Sequence, residues 1–578
     1  MNEQQPGIIK RVFSGLWRII NTTRAILLNL IFFGLLFAFI LTINSDEGQI
    51  TVPNNSALLL NFKGDIVEQK VEIDPVDAML TQTFNQKEER PEILLANIIK
   101  VIERAKNDDR ISIIVLKLDS LAHASLSKLQ DIGVALNDFK STGKKIIALG
   151  DQYSQSQYFM ASFADEIWLD PQGFMLLDGF GSYQLYFKSA LEKLQVSQHV
   201  FRVGTYKSAV EPYIRDNMSE AAKTANKLWL TDLWTQYKQN VATNRGFNID
   251  NFDETTEQLI KKFTEANSNY AEYALANGWV DQLKNRDQMR SELISHVGKN
   301  KSGKDFNFIQ YKDYLGAITT PFGTTSFNNK NVAVVVAKGA ILNGHQAPGT
   351  IGGDSTAQLL REARFDKQVQ AVVLRVDSPG GSAYASEIIR QEVELLKQAG
   401  KPVVASMGSV AASGGYWISA SADKILASPT TITGSIGIFG MFMTLENTLS
   451  DYGVHADGVG TTEFSGLSVV RPLSKGMSEL FQLSINRGYN DFISLVAENR
   501  NMSVEEVDKV AQGRVWSGIK AKELGLVDEL GSLNDAIGIA ADLAVLTDYG
   551  TKLIEKKPTA RDLFLQNLFA TGAQLMGI

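Results

Sequence analysis

The chain has 578 residues, of which 44% are hydrophobic and 21% are charged. This composition is that of a globular protein and excludes a disordered chain, one small domain, or a body made mainly of membrane-spanning helices. Lys and Arg total 57 against 64 Asp and Glu, a formal charge of -7, and this mild acidity predicts no nucleic-acid partner. With no cysteine and five histidines, neither a disulfide nor a metal site is expected, and no cofactor is expected. The absence of cysteine also suits an oxidising compartment.

The first predicted element is a membrane-spanning helix over Ala25–Ile43, 19 residues without a charge and long enough to cross about 30 Å of hydrocarbon. Four basic residues precede it: Lys10, Arg11, Arg18 and Arg24. Two acidic residues follow it: Asp46 and Glu47. This asymmetry predicts that residues 1–24 stay in the cytoplasm and that the rest of the chain is exported. A cleaved signal peptide is the alternative, but the apolar run is long and no A-x-A pattern follows it.

The rest of the chain contains two copies of one unit. The strand-like run Ile113–Ser120 (IIVLKLDS) matches Ala371–Ser378 (AVVLRVDS) at an offset of 258 residues. Downstream, Gly143–Gly150 (GKKIIALG) matches Gly400–Gly408 (GKPVVASMG). A period of this length is too long for a solenoid and predicts two tandem domains.

The predicted domains follow from this period and from a polar stretch rich in Gly, Ser, Thr and Asn between the copies. We expect an N-terminal unit at 46–297, a linker at 298–331, a C-terminal unit at 332–550 and a tail at 551–578. Within each unit, short Val, Ile and Leu runs alternate with amphipathic helical stretches such as Ser386–Gln398. This alternation predicts an α/β fold with a mainly parallel sheet covered on both faces.

Three glycine-rich turns of the second unit fall where strands end, the place where such sheets bind ligands. The first contains Gly380–Gly381 in VDSPGG and is typical of an oxyanion cradle, although P-G-G is also an ordinary turn. The second places Ser413 at a helix start among small residues that leave room for a substrate, but helix capping is the commoner role of such a serine. The third, Thr430–Gly440, either lines the same cleft or forms a bulged strand.

Five motifs occur in order along most of the chain: FRVGTYKSAVEPYIRD, DSPGG, AASGGYWIS, TGSIGIFG and GRVWSGIKAKELGLVDELG. Together they resemble the signal peptide peptidase A family, also called protease IV, in the long duplicated form of Gram-negative bacteria. The resemblance implies a tandem crotonase-like and Clp-protease-like fold behind one transmembrane helix. It implies a serine endopeptidase of the inner membrane, with its body in the periplasm and a homotetrameric assembly. The implied substrates are cleaved signal peptides and other apolar peptides.

The same resemblance assigns the candidate site residues. Ser413 takes the position of the family nucleophile and Lys207 that of the general base. The backbone amides of Gly381 and Gly414 take the positions of the oxyanion hole, and Ser435 that of the hydroxyl that orients the lysine.

The duplication provides an internal comparison of these assignments. Aligning the copies puts Gln155 opposite Ser413 and Glu463 opposite Lys207, so each unit keeps one half of a Ser/Lys pair. We therefore expect one composite site per chain. A lysine acts as a base only if burial lowers its pKa from about 10.4 by several units, and an apolar-lined interface between the units is a suitable place.

Three alternatives are weighed against the Ser/Lys protease. A histidine base is conceivable at His345 or His455, but a structural role is the better interpretation of both. A catalytically idle scaffold that binds exported chains would need neither Ser413 nor Lys207. An acyl-CoA enzyme shares the crotonase-like fold, but CoA is not expected outside the cytoplasm. The segment Arg561–Ile578 is moderately amphipathic, and packing against the body is expected rather than membrane binding.

Overall fold

The computed structural model describes residues 8–44, 50–72, 91–319, 330–462 and 464–556. The predictions for Glu463 and for Arg561–Ile578 fall outside these described residues. Both repeats belong to one main body, Val52–Glu72 and Glu89–Lys556, whereas the N-terminal helix belongs to a separate unit.

Helix α1 of this separate unit extends over Ile8–Asn44. Its stretch Gly15–Gly34 has 20 residues and is, by length and composition, apolar enough to cross a membrane. The predicted span, Ala25–Ile43, lies within α1 and overlaps this stretch.

The first repeat is built on a six-stranded parallel sheet with the strand order β8-β6-β5-β4-β1-β9. The strands of the first repeat, which include the small pair β2–β3 and the separate strand β7, are β1 (Ser56–Leu60), β2 (Asp65–Val67), β3 (Glu92–Leu94), β4 (Ile111–Lys117), β5 (Lys145–Tyr153), β6 (Glu166–Met175), β7 (Ser197–Val203), β8 (Gln282–Leu283) and β9 (Phe308–Gln310). Its helices are α2 (Leu95–Lys106), α3 (Leu126–Lys140), α4 (Gln155–Ala161), α5 (Lys188–Lys193), α6 (Glu211–Ile214), α7 (Glu220–Arg245), α8 (Thr256–Glu265), α9 (Tyr270–Ala276), α10 (Arg286–Val297) and α11 (Tyr311–Ile318). Two 3-10 turns lie at Ser208–Val210 and Ile249–Phe252.

The second repeat contains a larger sheet with the path β18-β16-β14-β13-β10-β20, to which β15 and β19 add beside β14. Its strands are β10 (Asn331–Lys338), β11 (Ile341–Leu342), β12 (Ile351–Gly352), β13 (Val369–Ser378), β14 (Val403–Ala412), β15 (Lys424–Ala427), β16 (Ile432–Gly434), β17 (Ile438–Thr444), β18 (Val515–Ser517), β19 (Glu529–Leu530) and β20 (Gly550–Ile554). Its helices are α12 (Gly353–Phe365), α13 (Ala383–Gln398), α14 (Gly414–Ala420), α15 (Glu446–Asp451), α16 (Lys475–Arg500), α17 (Val504–Val510), α18 (Gly518–Glu523) and α19 (Leu533–Leu543).

The central strands of both sheets are buried on both faces, as expected for parallel sheets covered by helices. In β13, eight of the ten residues are buried, and β4 shows a similar run of buried Ile and Val side chains. The pairing of β4 with β5 is repeated by β13 with β14. The prediction of a duplicated α/β fold is therefore confirmed.

Two predicted boundaries differ from the observed elements. Strand β9 and helix α11 lie inside the stretch predicted as a linker, 298–331, and belong to the first repeat because β9 pairs with β1 and the side chains of Ile309 and Tyr314 are buried. Strand β20 begins at the predicted end of the second unit and pairs with β10 over Gly550–Ile554. The linker was predicted from its polar composition, which does not reveal that the short strand β9 pairs with β1.

One ribbon joins the two repeats directly. Strand β7 of the first repeat pairs in antiparallel fashion with β17 of the second, from Val203 opposite Ile438 to Ser197 opposite Thr444. The end of β7 at Val203 leads within four residues to Lys207, and β17 begins three residues after Ser435. The ribbon thus brings segments of both repeats to one place.

Candidate active site

Ser413 lies at a sharp turn between strand β14 and helix α14. Its φ of 54° and ψ of -116° place it in the left-handed half of the backbone map, which a residue with a side chain rarely adopts. The turn is held by the Ser413 amide, which donates to the Gly434 carbonyl at 2.8 Å. A strained strand-to-helix turn of this kind exposes the hydroxyl of the residue at its tip.

The turn at Gly380–Gly381 packs closely against Ser413 and Gly414. A Cβ on Gly380 would lie 2.8 Å from Ser413 Cβ, and a Cβ on Gly414 would lie only 3.2 Å from the Gly381 nitrogen. Gly381 has a φ of 157°, and a Cβ there would lie 2.0 Å from the Ile341 carbonyl oxygen. The two turns therefore approach too closely for side chains at these glycines.

Lys207 reaches Ser413 from the first repeat. Its Nζ lies 3.1 Å from Ser413 Oγ, 3.0 Å from Ser435 Oγ and 3.0 Å from the Ser435 carbonyl oxygen. The structure thus brings together Lys207, Ser413 and Ser435, which the sequence places in three separate motifs.

The surroundings of Lys207 disfavour its charged form. The side chain is 4% exposed, and an ideal Cβ on Gly437 would lie 3.3 Å from its Cδ. Burial lowers the pKa of Lys207 to about 8. The cause is loss of hydration, which penalises the ammonium form. An appreciable fraction of the lysine is then a neutral amine near neutral pH.

Ser435 is the second strained serine of the site. It has a φ of 53°, and its amide donates to the Arg514 carbonyl at 2.7 Å. This backbone bond fixes the residue, so its hydroxyl and carbonyl oxygens are both presented to Lys207 Nζ.

A strap from the second repeat, Gln512–Gly513, also packs on Lys207 and was not singled out by the sequence. An ideal Cβ on Gly513, whose φ is 74°, would lie 2.7 Å from Lys207 Cβ. The Gln512 carbonyl accepts from the Tyr206 amide at 2.8 Å. The sequence feature that marks this strap is Gly513 in the GRVW motif. A glycine has no side chain from which its packing partner could be inferred.

The residues weighed as alternatives lie elsewhere. Gln155 holds a loop of the first repeat, because its side-chain amide donates to the Gly179 carbonyl at 3.1 Å and accepts from the Gly179 amide at 2.9 Å. His345 is 72% exposed with Nδ1 at 4.0 Å from Asp354 Oδ2, and His455 is exposed.

The arrangement contains the parts that acyl transfer requires. A hydroxyl in a strained turn lies within hydrogen-bond distance of a buried amine of lowered pKa, and a turn of two glycines packs closely against the same serine. The class of protein that this fold and site define is a serine hydrolase.

Comparison with known proteins identifies the family within this class. The model of peptidase family S49 matches residues 138–299 and 395–547, once in each repeat, and the chain belongs to that family. The chain is 43% identical to Protease 4 of Salmonella typhi over 96% of its own length and 90% of that protein. It is 29% identical to the chloroplastic serine protease SPPA of Arabidopsis thaliana over 85% of its length and 70% of that protein. Among solved structures, a ClpP1 N165D mutant from Listeria monocytogenes is similar at 17% identity and a TM-score of 0.23, covering 35% of this chain and 94% of that chain.

The prediction of a serine protease, similar to protease IV in its duplicated form, is therefore confirmed. The apolar stretch in α1, together with these relatives, also supports the predicted membrane anchor.

Proposed function

We propose that this serine protease uses Ser413 as its nucleophile and Lys207 as its general base. The observation that carries the proposal is the contact of 3.1 Å between Lys207 Nζ and Ser413 Oγ, made by a lysine whose pKa burial lowers to about 8. Neutral Lys207 accepts the hydroxyl proton while Ser413 Oγ attacks the peptide carbonyl carbon. The amides of Gly381 and Gly414 donate to the oxyanion that forms.

The same groups complete the reaction. Protonated Lys207 gives its proton to the leaving amine as the peptide C–N bond breaks, which leaves an acyl ester on Ser413. Water then attacks the ester while Lys207 takes one of its protons, and Lys207 returns that proton to Ser413 Oγ as the ester C–O bond breaks and the acid product leaves. Ser435 orients the lysine in both half-reactions through its two oxygen atoms at 3.0 Å.

The test is covalent labelling of the full chain in detergent by a serine-reactive phosphonate, measured as a rate against pH. Wild type should label with a rate that rises through an apparent pKa near 8, whereas Ser413→Ala and Lys207→Ala should not label. Lys401→Met is the matched control, since the pKa of Lys401 is also lowered by burial but its Nζ donates to the carbonyls of Ala363 and Asp366 instead.

Two other outcomes would favour a different base or a different function. Labelling that survives Lys207→Ala but is lost in His455→Ala would favour a histidine base. A wild type that neither labels nor cleaves any apolar peptide would leave a binding role for exported chains.

We also propose where the protein is located and how it assembles. The basic flank of Ala25–Ile43 supports an inner-membrane protein with its N-terminus in the cytoplasm and its body in the periplasm, where signal peptide remnants and other apolar peptides are the substrates. Large exposed apolar side chains such as Tyr183, Tyr452 and Val459 are typical of an association surface, and the assembly that we propose is a homotetramer. Protease protection in spheroplasts tests the orientation, and light scattering in detergent tests the tetramer.

A further inference from the structure

A second lysine of the first repeat is buried against the second repeat. Lys128, in the first turn of α3, is 5% exposed. Its Nζ lies 2.7 Å from Asp377 Oδ2 and donates to Ser409 Oγ. Ser125, at the start of the same helix, has its hydroxyl 2.6 Å from Ser409 Oγ. The start of α3 thus contacts two residues that are distant in sequence.

Both partners lie in the strands that lead to the candidate site. Asp377 is in β13, immediately before the turn that contains Gly381, and Ser409 is in β14, four residues before Ser413. The register between these strands shifts here, from Val376 opposite Met407 to Ser378 opposite Ala411. Two extra residues of β14 therefore bulge out opposite Asp377.

Both oxygen atoms of the Asp377 carboxylate make contacts at this bulge. Its Oδ1 accepts from the Val410 amide at 3.1 Å, and its Oδ2 faces Lys128. The position of the bulge determines where β13 ends at the Gly381 turn and where β14 ends at Ser413. Lys128 is therefore linked through two side chains to the distance between the oxyanion amides and the nucleophile.

Comparison of the two repeats indicates that Lys128 does more than stabilise the contact between them. Asp119 of the first repeat corresponds to Asp377, and its Oδ1 likewise accepts from a backbone amide of the next strand, that of Asp151 at 3.2 Å. In the part of the chain that the structure describes, Asp119 has no ion-pair partner. The carboxylate contact exists in both repeats, but β4 pairs with β5 in unbroken register, whereas the bulge and the lysine are found in the copy that contains Ser413.

We propose that Lys128 is a positioning residue for the protease, which holds the bulge between β13 and β14 and thereby sets the spacing between the Gly381 amide and Ser413 Oγ. The proposal rests on the proposed function, because it takes Ser413 as nucleophile and Gly381 as an oxyanion donor. The first repeat then supplies two lysines with different roles: Lys207 moves a proton, and Lys128 holds the framework through its charge.

The test is Lys128→Met in the full chain in detergent, with kcat and KM measured on an apolar chromogenic peptide. Active sites are titrated with the phosphonate, so kcat is expressed per competent site. We expect kcat per site to fall about 10-fold to 100-fold, the effect of a displacement of about 1 Å in an active site, with KM within about threefold of wild type. Lys140→Met, on the same helix, is the matched control. Lys140 Nζ donates to the Phe163 carbonyl at 3.1 Å within the first repeat, so kcat should not change.

Two further measurements separate positioning from simple stabilisation. The midpoint of the labelling rate against pH should stay where it is in wild type while the plateau falls, because Lys207 keeps its surroundings. Lys128→Arg, which keeps the charge, should restore part of kcat. Asp377→Asn should lower kcat in the same way, and the double variant should be no slower than the slower single variant.

Several results would overturn the proposal. One is a Lys128→Met variant with wild-type kcat per titrated site and only a lower melting temperature. Another is a shift of the labelling midpoint, which would mean that Lys128 acts through the base. If Lys128→Met does not fold, wild-type kcat in Asp377→Asn would refute it equally. Activity that persists in Ser413→Ala and Lys207→Ala would instead refute the proposed function, whatever the Lys128 variants do.

Discussion

Replacing Lys207 by methionine should abolish activity and stabilise the fold at neutral pH. Burial lowers the pKa of this lysine from 10.5 to about 8. Since each pKa unit corresponds to about 1.4 kcal/mol, keeping Lys207 buried costs folding about 3 kcal/mol at pH values below about 8. Methionine has a similar length and no charge, so it removes this cost.

The gain is partly offset by contacts that methionine cannot make. Lys207 Nζ has three oxygen partners, on Ser413 and Ser435, and hydrogen bonds contribute about 1 kcal/mol each. The hydroxyls can turn to other acceptors, so we expect a net stabilisation of about 1 to 2 kcal/mol at pH 7. For a body of this size, that corresponds to a rise of about 1 to 2 °C in the melting temperature.

The pH dependence gives the sharper test. The folded-state pKa lies below the unfolded-state value, so between about pH 8 and pH 10.5 the unfolded chain binds one more proton and wild-type stability rises with pH. The advantage of Lys207→Met should therefore be full below about pH 8 and shrink towards pH 10.5. Scanning calorimetry of the full chain in detergent at several pH values measures this difference.

Lys401→Met is a control for the effect of a lysine-to-methionine change on the melting temperature. Burial lowers the pKa of Lys401 less than that of Lys207, so methionine relieves a smaller cost there. Lys401 Nζ donates to two backbone carbonyls, at 2.9 Å and 2.7 Å, which cannot turn to other partners, so its loss should lower the melting temperature. If Lys207→Met melts below wild type at pH 7, or if its advantage does not change with pH, burial does not lower the pKa of Lys207 as inferred.

Three further predictions concern single residues. Gly381→Ala should lower kcat about 100-fold to 1000-fold in peptide cleavage, because the added Cβ would meet the Ile341 carbonyl and displace the oxyanion amide. Gly513→Ala should slow phosphonate labelling at least about 10-fold, because the added Cβ would lie 2.7 Å from Lys207 Cβ and push the base away from Ser413. Asp131→Asn should raise the melting temperature at pH 8 but not at pH 4. Burial raises the pKa of Asp131 from 3.8 to about 6, so the stability that this group contributes is lost as pH rises through 6, by up to about 3 kcal/mol.

Much of the fold could be predicted because its signals are local or repeated. Strand β13 reads as a continuous apolar run, and its second copy in β4 made the duplication visible without any other sequence. The strained turn at Ser413 was indicated by the small residues around it, since only such residues let a strand and a helix meet so closely. Boundaries were predicted less well, because β9 and β20 are short and paired with strands far away in the chain.

The contacts between the repeats could not be predicted in the same way. Lys128 has an ordinary sequence context at the start of a helix, and its partners Asp377 and Ser409 are 249 and 281 residues away. Hydrophobic periodicity tells which face of an element is buried, but not which element of another unit covers it. A buried lysine is especially hard to predict from sequence, because a lysine on a helix is far more often solvated than paired.

A site divided between two repeats requires that they dock in one orientation. Arg375, 2% exposed in β13, has its Nη2 at 2.7 Å from Glu68 Oε1 and 3.5 Å from Asp131 Oδ2, both of the first repeat. Buried ion pairs add little net stability, because desolvation offsets their attraction, but a misplaced partner leaves an unpaired charge and is strongly unfavourable. These pairs therefore act on orientation more than on stability.

This explains how a composite site persists without either half being sufficient. The contact of 3.1 Å between Lys207 Nζ and Ser413 Oγ would be lost by a slip of about 1 Å between the repeats. The ribbon of β7 and β17 fixes the lysine segment to the strand that follows Ser435, and the buried pairs at Lys128 and Arg375 are further contacts between the repeats. Each repeat alone presents either a hydroxyl without a base or a base without a hydroxyl. A chain whose repeats have not yet docked therefore lacks the proposed dyad, and proteolytic competence arises only with the completed fold.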